Sequence, residues 1–286
     1  MGCANLDEEW ESRGVAGGTP VMPLTPFQRS LLALLAPNRA PDSYIAGATA
    51  LHFSPNSTRF SRDLDIFHDS VELVAEAFAR DRRTLEEDDY TVATQISQPG
   101  FIRALVGKNN ESTLIDWARE SAWRFMPVVQ HEIGGYSLHE IDLATSKIIA
   151  LAGRNEPRDF VDALYVLDHV LSLGPLVWAA VDKDPGFSPV SLLEMLRRRG
   201  RYRPEDFDRL DLVAPIDPVE TKTRWTKELD KAESFMESRP PDEVGCLYYS
   251  TESGRFVEPA PALALEVQNV VKHFGCPGGI LPVPAG

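Results

Sequence analysis

Two aspartates alternate with apolar residues at positions 63–67, which read Asp-Leu-Asp-Ile-Phe. On a β-strand, residues two apart point to the same face, so the side chains of Asp63 and Asp65 project together. Adjacent carboxylates repel each other, and a fold that pairs them usually supplies a cation. Because ligation by oxygen alone suits hard ions, the segment predicts a Mg²⁺ or Mn²⁺ site. Taken alone, such a pair at the end of a strand is more often structural.

A third carboxylate, Asp116, lies in an apolar segment at 113–117 that is typical of a strand. An unpaired aspartate among apolar neighbours is costly, and pairing of the two strands would bring Asp116 beside Asp63 and Asp65. Three carboxylates that hold two metal ions are what in-line phosphoryl transfer requires. The alternative is an edge residue paired with Arg119.

Apolar periodicity and turn residues divide the chain into an α/β half and a helical half. The first helix is predicted at 25–35, with Thr25 as its N-cap and Pro26 in its first turn. The other predicted elements of the first half are strands at 43–46, 64–67, 90–97, 101–106 and 113–117, a short helix after Gly47, a helix at 71–83 and a hairpin at 134–135. Helices are predicted at 142–153, 157–171, 175–182, 188–199 and 217–238, followed by a hairpin at 244–258 and a frayed tail.

The predicted fold class is therefore α+β, with a mixed sheet followed by a mostly helical region. We expect a flexible arm at 1–24, an α/β domain at 25–140, a helical domain at 141–240, and a terminal hairpin and tail at 241–286.

Composition excludes several classes of protein. No apolar run approaches the roughly 18 residues of a membrane helix, and the acidic stretch at 7–11 does not fit a secretory signal. Cys3, Cys246 and Cys276 are far apart and odd in number, which suits a reducing compartment. We therefore expect a cytoplasmic protein with no membrane partner. Its net charge is −14, so any RNA must be bound by a local basic patch.

A turn of small residues, Gly47-Ala48, precedes the aspartate pair by one short helix. Its backbone N–H groups are candidates for phosphate contact. Residues 44–67 resemble the first motif of the AbiEii/AbiGii-type nucleotidyltransferase toxins, which belong to the polymerase-beta-like superfamily. That motif reads Gly-Gly or Gly-Ser, a spacer and Asp-x-Asp. Here Ala48 retains the backbone N–H but lacks the serine hydroxyl.

Two cations, Lys147 and Arg154, share one face of a helix that is apolar nearly all round. Buried cations need anions, and the candidate partners of Lys147 are a triphosphate, Asp142 or Asp162. The alternative is a lysine whose charged end reaches solvent.

The next helix has a buried stripe and a polar face. The stripe consists of Phe160, Leu164, Leu167 and Leu171. Arg158 and Asp162 lie on the opposite face as an i,i+4 pair, flanked by Asp159. On its own, this arrangement is most often a solvated face.

Together these two helices are similar to later motifs of the same family, a Lys followed by Arg-Asp-x-x-Asp, so the resemblance covers about residues 43–171. It implies a polymerase-beta-like nucleotidyltransferase domain, with Asp116 as third metal ligand or as base, and with Asp159 functional or orienting Lys147. The implied catalytic residues are Asp63, Asp65, Asp116, Lys147 and Asp162, of which the first three hold Mg²⁺ or Mn²⁺. The implied nucleotide contacts are Gly47, Ala48, Thr49, Arg59, Ser61, Lys147 and Arg158.

A basic run at 197–203 reads Arg-Arg-Arg-Gly-Arg-Tyr-Arg. It could hold an RNA backbone, or it could meet a helix C-terminus or an acidic neighbour. The six histidines show no metal-ligand spacing. His68 follows the strand and could lie near the site, but it is rather expected at the surface.

The resemblance implies a metal-dependent transfer of a nucleoside monophosphate from a nucleoside triphosphate to a hydroxyl, with tRNA or another RNA as acceptor. It also implies a toxin restrained by an antitoxin. One alternative is a catalytically weakened module that binds a nucleotide or partner, which Ala48 favours. Another is a nucleotidyltransferase that modifies a small antibiotic-type molecule, against which the basic run argues.

Overall fold

The computed structural model describes residues 24–53 and 57–283. The predicted arm, apart from Leu24, lies outside these residues. The first half contains α1 (Pro26–Leu35), β1 (Ser43–Ile45), α2 (Gly47–Leu51), β2 (Asp63–His68), α3 (Val71–Glu87), β3 (Thr91–Gln98), β4 (Phe101–Lys108), β5 (Glu111–Arg119), β6 (Trp123–Arg124), β7 (Val129–His131) and β8 (Gly135–Ser137). The second half contains α4 (Glu140–Gly153), α5 (Pro157–His169), α6 (Leu173–Lys183), α7 (Pro189–Arg197), α8 (Pro204–Phe207), α9 (Pro218–Glu237), β9 (Leu247–Ser250), β10 (Arg255–Phe256), β11 (Val270–His273) and β12 (Cys276–Pro277).

The central sheet has the strand order β3-β4-β5-β2-β1-β8-β7. Its β2–β5 and β1–β8 pairs are parallel and the other pairs antiparallel, so the predicted α+β fold with a mixed sheet is confirmed. Alternation along β2 buries Leu64, Ile66 and His68 on one face of the strand. The opposite face carries Asp63 and Asp65.

The first helix is fixed where the sequence predicts. Thr25 caps α1 by accepting a hydrogen bond from the Gln28 backbone N–H, and the Gln28 side chain accepts one from the Thr25 N–H. The buried Gln28 amide also donates to the Ser61 carbonyl at 3.1 Å and to Thr113 Oγ1 at 3.3 Å. The helix therefore anchors the segment just before β2 and the start of β5.

A tight hairpin sets the register between β4 and β5. Asn109 and Asn110 have φ values of 52° and 66°, the left-handed values that a two-residue turn of this kind requires. From the pair Lys108 and Glu111 the register continues unbroken to Arg103 opposite Asp116.

One hydrophobic core extends from the α/β half into the helical half, and it includes buried residues from Leu24 to Leu247. The domain boundaries given above stay a prediction. Within the described part of the chain, no single helix is long and apolar enough to cross a membrane. Helices α5 and α6 would suffice together by length and composition, but they are bent by 118° at the break between them.

Two sequence expectations are wrong. The tail is not frayed over residues 276–280, because β12 pairs with β6 and the Ile280 N–H donates to the Phe125 carbonyl at 3.2 Å, while residues 284–286 of the predicted tail lie outside the described residues. His68 is fully buried rather than at the surface, because strand alternation places it with Leu64 and Ile66. Burial, assisted by the charge of Arg39, lowers the pKa of His68 to about 3.

Candidate active site

The sheet and the helical half enclose a cavity of about 460 Å³. Its lining comes from strands β2, β4 and β5, from the start of α2, from helices α4 and α5 and the link between them, and from the segments 59–62 and 209–211. The lining residues are Gly47, Ala48, Arg59, Phe60, Ser61, Arg62, Asp63, Asp65, Phe67, Phe101, Arg103, Asp116, Ala118, Lys147, Arg154, Arg158, Asp159, Arg209, Leu210 and Asp211. Of the predicted site residues, Thr49 and Asp162 are not part of this lining.

The three predicted aspartates share one face of the sheet. Parallel pairing of β2 with β5 sets Asp65 directly opposite Asp116 and Asp63 opposite Leu114. The prediction that the two strands are neighbours is confirmed. On the other side of β5, Arg103 of β4 lies opposite Asp116. Asp65, Asp116 and Arg103 therefore form a charged row across three adjacent strands.

Asp116 is held by Arg103. Arg103 Nε and Nη2 donate to the two Asp116 oxygens at 2.7 and 2.5 Å. The Asp116 side chain is 9% exposed, and the Arg103 side chain is 31% exposed. The alternative pairing with Arg119 is wrong, and β5 is an interior strand rather than an edge. The Asn109-Asn110 turn is the sequence signal that could have identified Arg103, because it fixes the register of the hairpin.

Asp65 lies in an environment that disfavours its charged form. Burial raises the pKa of Asp65 to about 6; Lys147 opposes this shift, while Asp116 and Asp63 add to it. The Ala48 N–H donates to Asp65 Oδ2 at 3.3 Å. The backbone N–H of Ala48, which the sequence indicates as a candidate for phosphate contact, therefore bonds to Asp65, a candidate metal ligand.

Gly47 is required at this turn for two independent reasons. Its φ is +61°, and a Cβ at this position would lie 2.7 Å from Asp65 Cγ and overlap the carboxylate. An L-residue with a side chain is strained at that φ, and the carboxylate would also have to move.

We expect Gly47→Ala to lower stability by about 1 kcal/mol or more and to displace Asp65. The matched control is Gly153→Ala at the end of α4, where an added Cβ meets nothing within 4 Å. Urea unfolding of both variants checks the prediction. It is contradicted if the two substitutions have the same effect.

Thr49 and Ser61 brace the start of β2. The buried Thr49 hydroxyl donates to the Asp63 carbonyl at 3.1 Å and accepts from the Asp65 N–H at 3.0 Å. The Ser61 hydroxyl donates to the same Asp63 carbonyl at 2.8 Å. These contacts fix the backbone of the aspartate pair. The family resemblance implies that Thr49 and Ser61 contact nucleotide, whereas in the structure their hydroxyls bond to backbone groups of this strand.

Asp162 is the centre of a buried ion network. Arg59 Nε and Nη2 donate to its two oxygens at 2.7 and 2.8 Å, Lys147 Nζ lies at 2.7 Å, and His52 Nε2 lies at 2.9 Å. Burial raises the pKa of Asp162, but the charge of Lys147 and the hydrogen bonds from His52 and Arg59 outweigh it. The pKa therefore lies well below its ordinary value. Asp162 is the partner of Lys147 among the candidates that the sequence allows.

The predicted Arg158–Asp162 pair on a solvated face is wrong. Asp162 is fully buried and bonded to other residues, whereas Arg158 is exposed and lines the cavity. Asp159 is also buried and accepts from Arg154 Nε at 2.6 Å. The helical pattern predicts a solvated face wrongly, because residues distant in sequence cover it. His52, which follows α2, and Arg59, which precedes β2, bond to Asp162 on this face of α5.

A loop of the helical half forms one wall of the cavity. The Phe60 N–H donates to the Asp211 carbonyl at 2.9 Å, and Arg59 forms a β-bridge with Leu212. Arg62 Nε donates to Asp211 Oδ2 at 2.5 Å. Residues 209–211 thereby reach the cavity, although the sequence carries no motif there that could have identified them.

The basic run at 197–203 is largely engaged within the protein. Arg197 pairs with Asp230 and Glu233 of α9, and Arg203 pairs with Asp206. Arg199 donates to the carbonyls of Leu151 and Ala152 at the end of α4. These contacts agree with the helix-terminus and acidic-neighbour alternatives for those three arginines.

The donor set at the cavity fits a hard cation. The carboxylates of Asp63 and Asp65 share one face of β2, and only oxygen ligands are offered. Asp116 is bound to Arg103, and among residues 24–53 and 57–283 no three Asp, Glu, His or Cys side chains form a group that could hold a metal ion. The metal assignment stays a prediction, with Asp63 and Asp65 as its best-placed ligands.

Residues 29–244 match the family described as nucleotidyl transferase AbiEii toxin, type IV toxin–antitoxin system. Among solved structures, JHP933 from Helicobacter pylori is similar, with 18% identity and a TM-score of 0.47 over 74% of this chain and 94% of that chain. A candidate nucleotidyltransferase from H. pylori has 16% identity and a TM-score of 0.46 over the same shares. No curated protein matches significantly.

Proposed function

Because this chain belongs to the family of AbiEii nucleotidyl transferase toxins of type IV toxin–antitoxin systems, we propose that it transfers a nucleoside monophosphate from a nucleoside triphosphate to a hydroxyl of RNA. One observation carries the proposal. Asp63, Asp65 and Asp116 face a single cavity from two parallel strands, and Lys147 and Arg158 line the same cavity from the helices. Carboxylates for metal beside cations for phosphate are the parts that phosphoryl transfer requires.

The acceptor hydroxyl oxygen forms a bond to the α-phosphorus, and the bond from that phosphorus to the β-phosphate oxygen breaks, so pyrophosphate leaves. Asp63 and Asp65 would hold Mg²⁺ or Mn²⁺, which supplies charge neutralisation at the phosphates. Asp116 would accept the hydroxyl proton as the new bond forms; if Asp116 instead completes the ligand set, the proton passes to solvent water.

Lys147 is positioned for phosphate by Asp162. One of the three N–H donors of its ammonium group is directed to Asp162 Oδ2, which fixes the side chain beside the cavity. The remaining donors are available to phosphate oxygens. Asp162 thus acts through Lys147 and Arg59 and does not touch the substrate.

The test incubates the protein with Mg²⁺, each labelled nucleoside triphosphate in turn and a total RNA pool, tRNA included. We expect label on RNA with at least one nucleotide. Measurable nucleotide binding without transfer from any of the four would overturn the proposal. Co-expression with a candidate antitoxin tests the further expectation that an antitoxin restrains the activity.

Binding without transfer is the second candidate function. It is favoured by the two hydrogen bonds from Arg103 that occupy both oxygens of Asp116. It predicts nucleotide affinity that survives Asp116→Asn and no label on RNA from the parent protein.

A further inference from the structure

Arg103 ends the charged row at the cavity and is not accounted for by the transfer mechanism. It faces Asp116 across the β4–β5 pair, and its Nε and Nη2 both donate hydrogen bonds to the Asp116 carboxylate. Its guanidinium carbon also lies 5.7 Å from the centre of the Phe101 ring. Arg103 is thus oriented by its own strand and bound to one of the three predicted metal ligands.

The bidentate geometry has an electrostatic consequence. Each carboxylate oxygen keeps a further lone pair, but a divalent cation placed there lies close to a fixed positive charge. The guanidinium is always protonated at ordinary pH, so the protein cannot remove this repulsion by losing a proton. The repulsion is relieved only when the guanidinium turns away. Because the Arg103 side chain is 31% exposed and lines the cavity, it has space to do so.

We propose that Arg103 is a positioning residue that sets the affinity of the site for divalent metal by competing with it for Asp116. The inference rests on the proposed function, since it takes Asp63, Asp65 and Asp116 as the metal ligands. With Arg103 on Asp116, the site offers two carboxylates. With Arg103 turned away, it offers three.

The competing explanation is that Arg103 only compensates the charge of Asp116 and stabilises the sheet. The two explanations predict opposite changes in metal affinity. If Arg103 competes with the metal, its removal strengthens metal binding. If Arg103 only stabilises the sheet, its removal disorders Asp116 and weakens metal binding.

The test measures Mn²⁺ binding without nucleotide, from the electron paramagnetic resonance signal of free Mn²⁺, for the parent, Arg103→Gln, Arg103→Lys and Arg209→Gln. We expect Arg103→Gln to bind about tenfold more tightly than the parent. Arg103→Lys should fall between them, because it keeps the charge and loses the bidentate contact. Arg209→Gln removes an exposed charge from the lining of the same cavity, and we expect less than about a twofold change, because exposed charges are screened.

Equal or weaker binding by Arg103→Gln overturns the inference and leaves the proposed function standing, provided that the parent binds Mn²⁺ and Asp65→Asn does not. Absence of Mn²⁺ binding in every variant overturns both. Thermal unfolding monitors the fold of each variant. If Arg103→Gln does not fold, Arg103→Lys decides the question by its affinity relative to the parent.

Discussion

Asp65→Asn should lower the transfer of label to RNA by at least about 10³-fold. A bound metal ion stabilises the charge of the transition state by several kcal/mol, and a neutral amide holds the metal less well than a carboxylate. Asp65 shares its strand with Asp63 and lies directly opposite Asp116 on the next strand, so its loss removes the predicted ligand that adjoins both of the others. The measurement is the initial rate with the preferred nucleotide. The control Asp42→Asn changes an exposed aspartate outside the cavity lining and should leave the rate unchanged.

The same variant should fold at least as stably as the parent. The pKa of Asp65 rises from 3.8 to about 6 on folding, so the folded protein holds this proton more tightly than the unfolded chain. Through this group, the free energy of unfolding falls as the pH rises across that interval, and the loss persists at neutral pH. Asp65→Asn removes this contribution. A variant that loses both activity and stability at pH 7 would contradict the view that Asp65 is a functional group whose charged form destabilises the fold.

Asp162→Ala should lower the free energy of unfolding by about 3–5 kcal/mol, because it leaves Lys147 and Arg59 buried without their anion. His52 loses its Nε2 partner as well. Urea unfolding at neutral pH measures the effect. Asp162→Asn keeps the shape of the side chain and should have a smaller effect, since it can still accept hydrogen bonds.

A matched control lies on the same helix. Asp168 pairs with Arg224 at the surface, where its side chain is 46% exposed. Because solvent screens such a pair, Asp168→Ala should change the free energy of unfolding by less than about 1 kcal/mol. Equal effects of the two alanine substitutions would contradict the central role given to Asp162.

The sequence predicts the part of the site that local periodicity governs. Alternation in β2 places Asp63 and Asp65 on one face, and the capping residue Thr25 and the small-residue turn at Gly47 are found where the sequence predicts. These features depend on residues close together in the chain. The same holds for most helix bounds, where proline and the capping residues mark the start.

The partners of the charged residues could not be predicted in the same way. Helical spacing alone pairs Arg158 with Asp162, yet Arg59, which precedes β2, reaches that carboxylate across 103 positions of the chain. A contact of this kind depends on how the halves pack, and periodicity within one helix carries no information on it. Arg103 is an intermediate case, because a recognisable turn fixes its register with Asp116.

The bond between Arg62 and Asp211 joins residues 149 positions apart, and it helps to fix the loop that completes the cavity. A ribosome makes the chain from the N-terminus, so the aspartates of β2 and β5 are synthesised long before this loop. Until residues 209–211 are synthesised, the cavity that these carboxylates face lacks one of its walls. The wall formed by residues 209–211 can therefore join the cavity only after most of the chain has been synthesised.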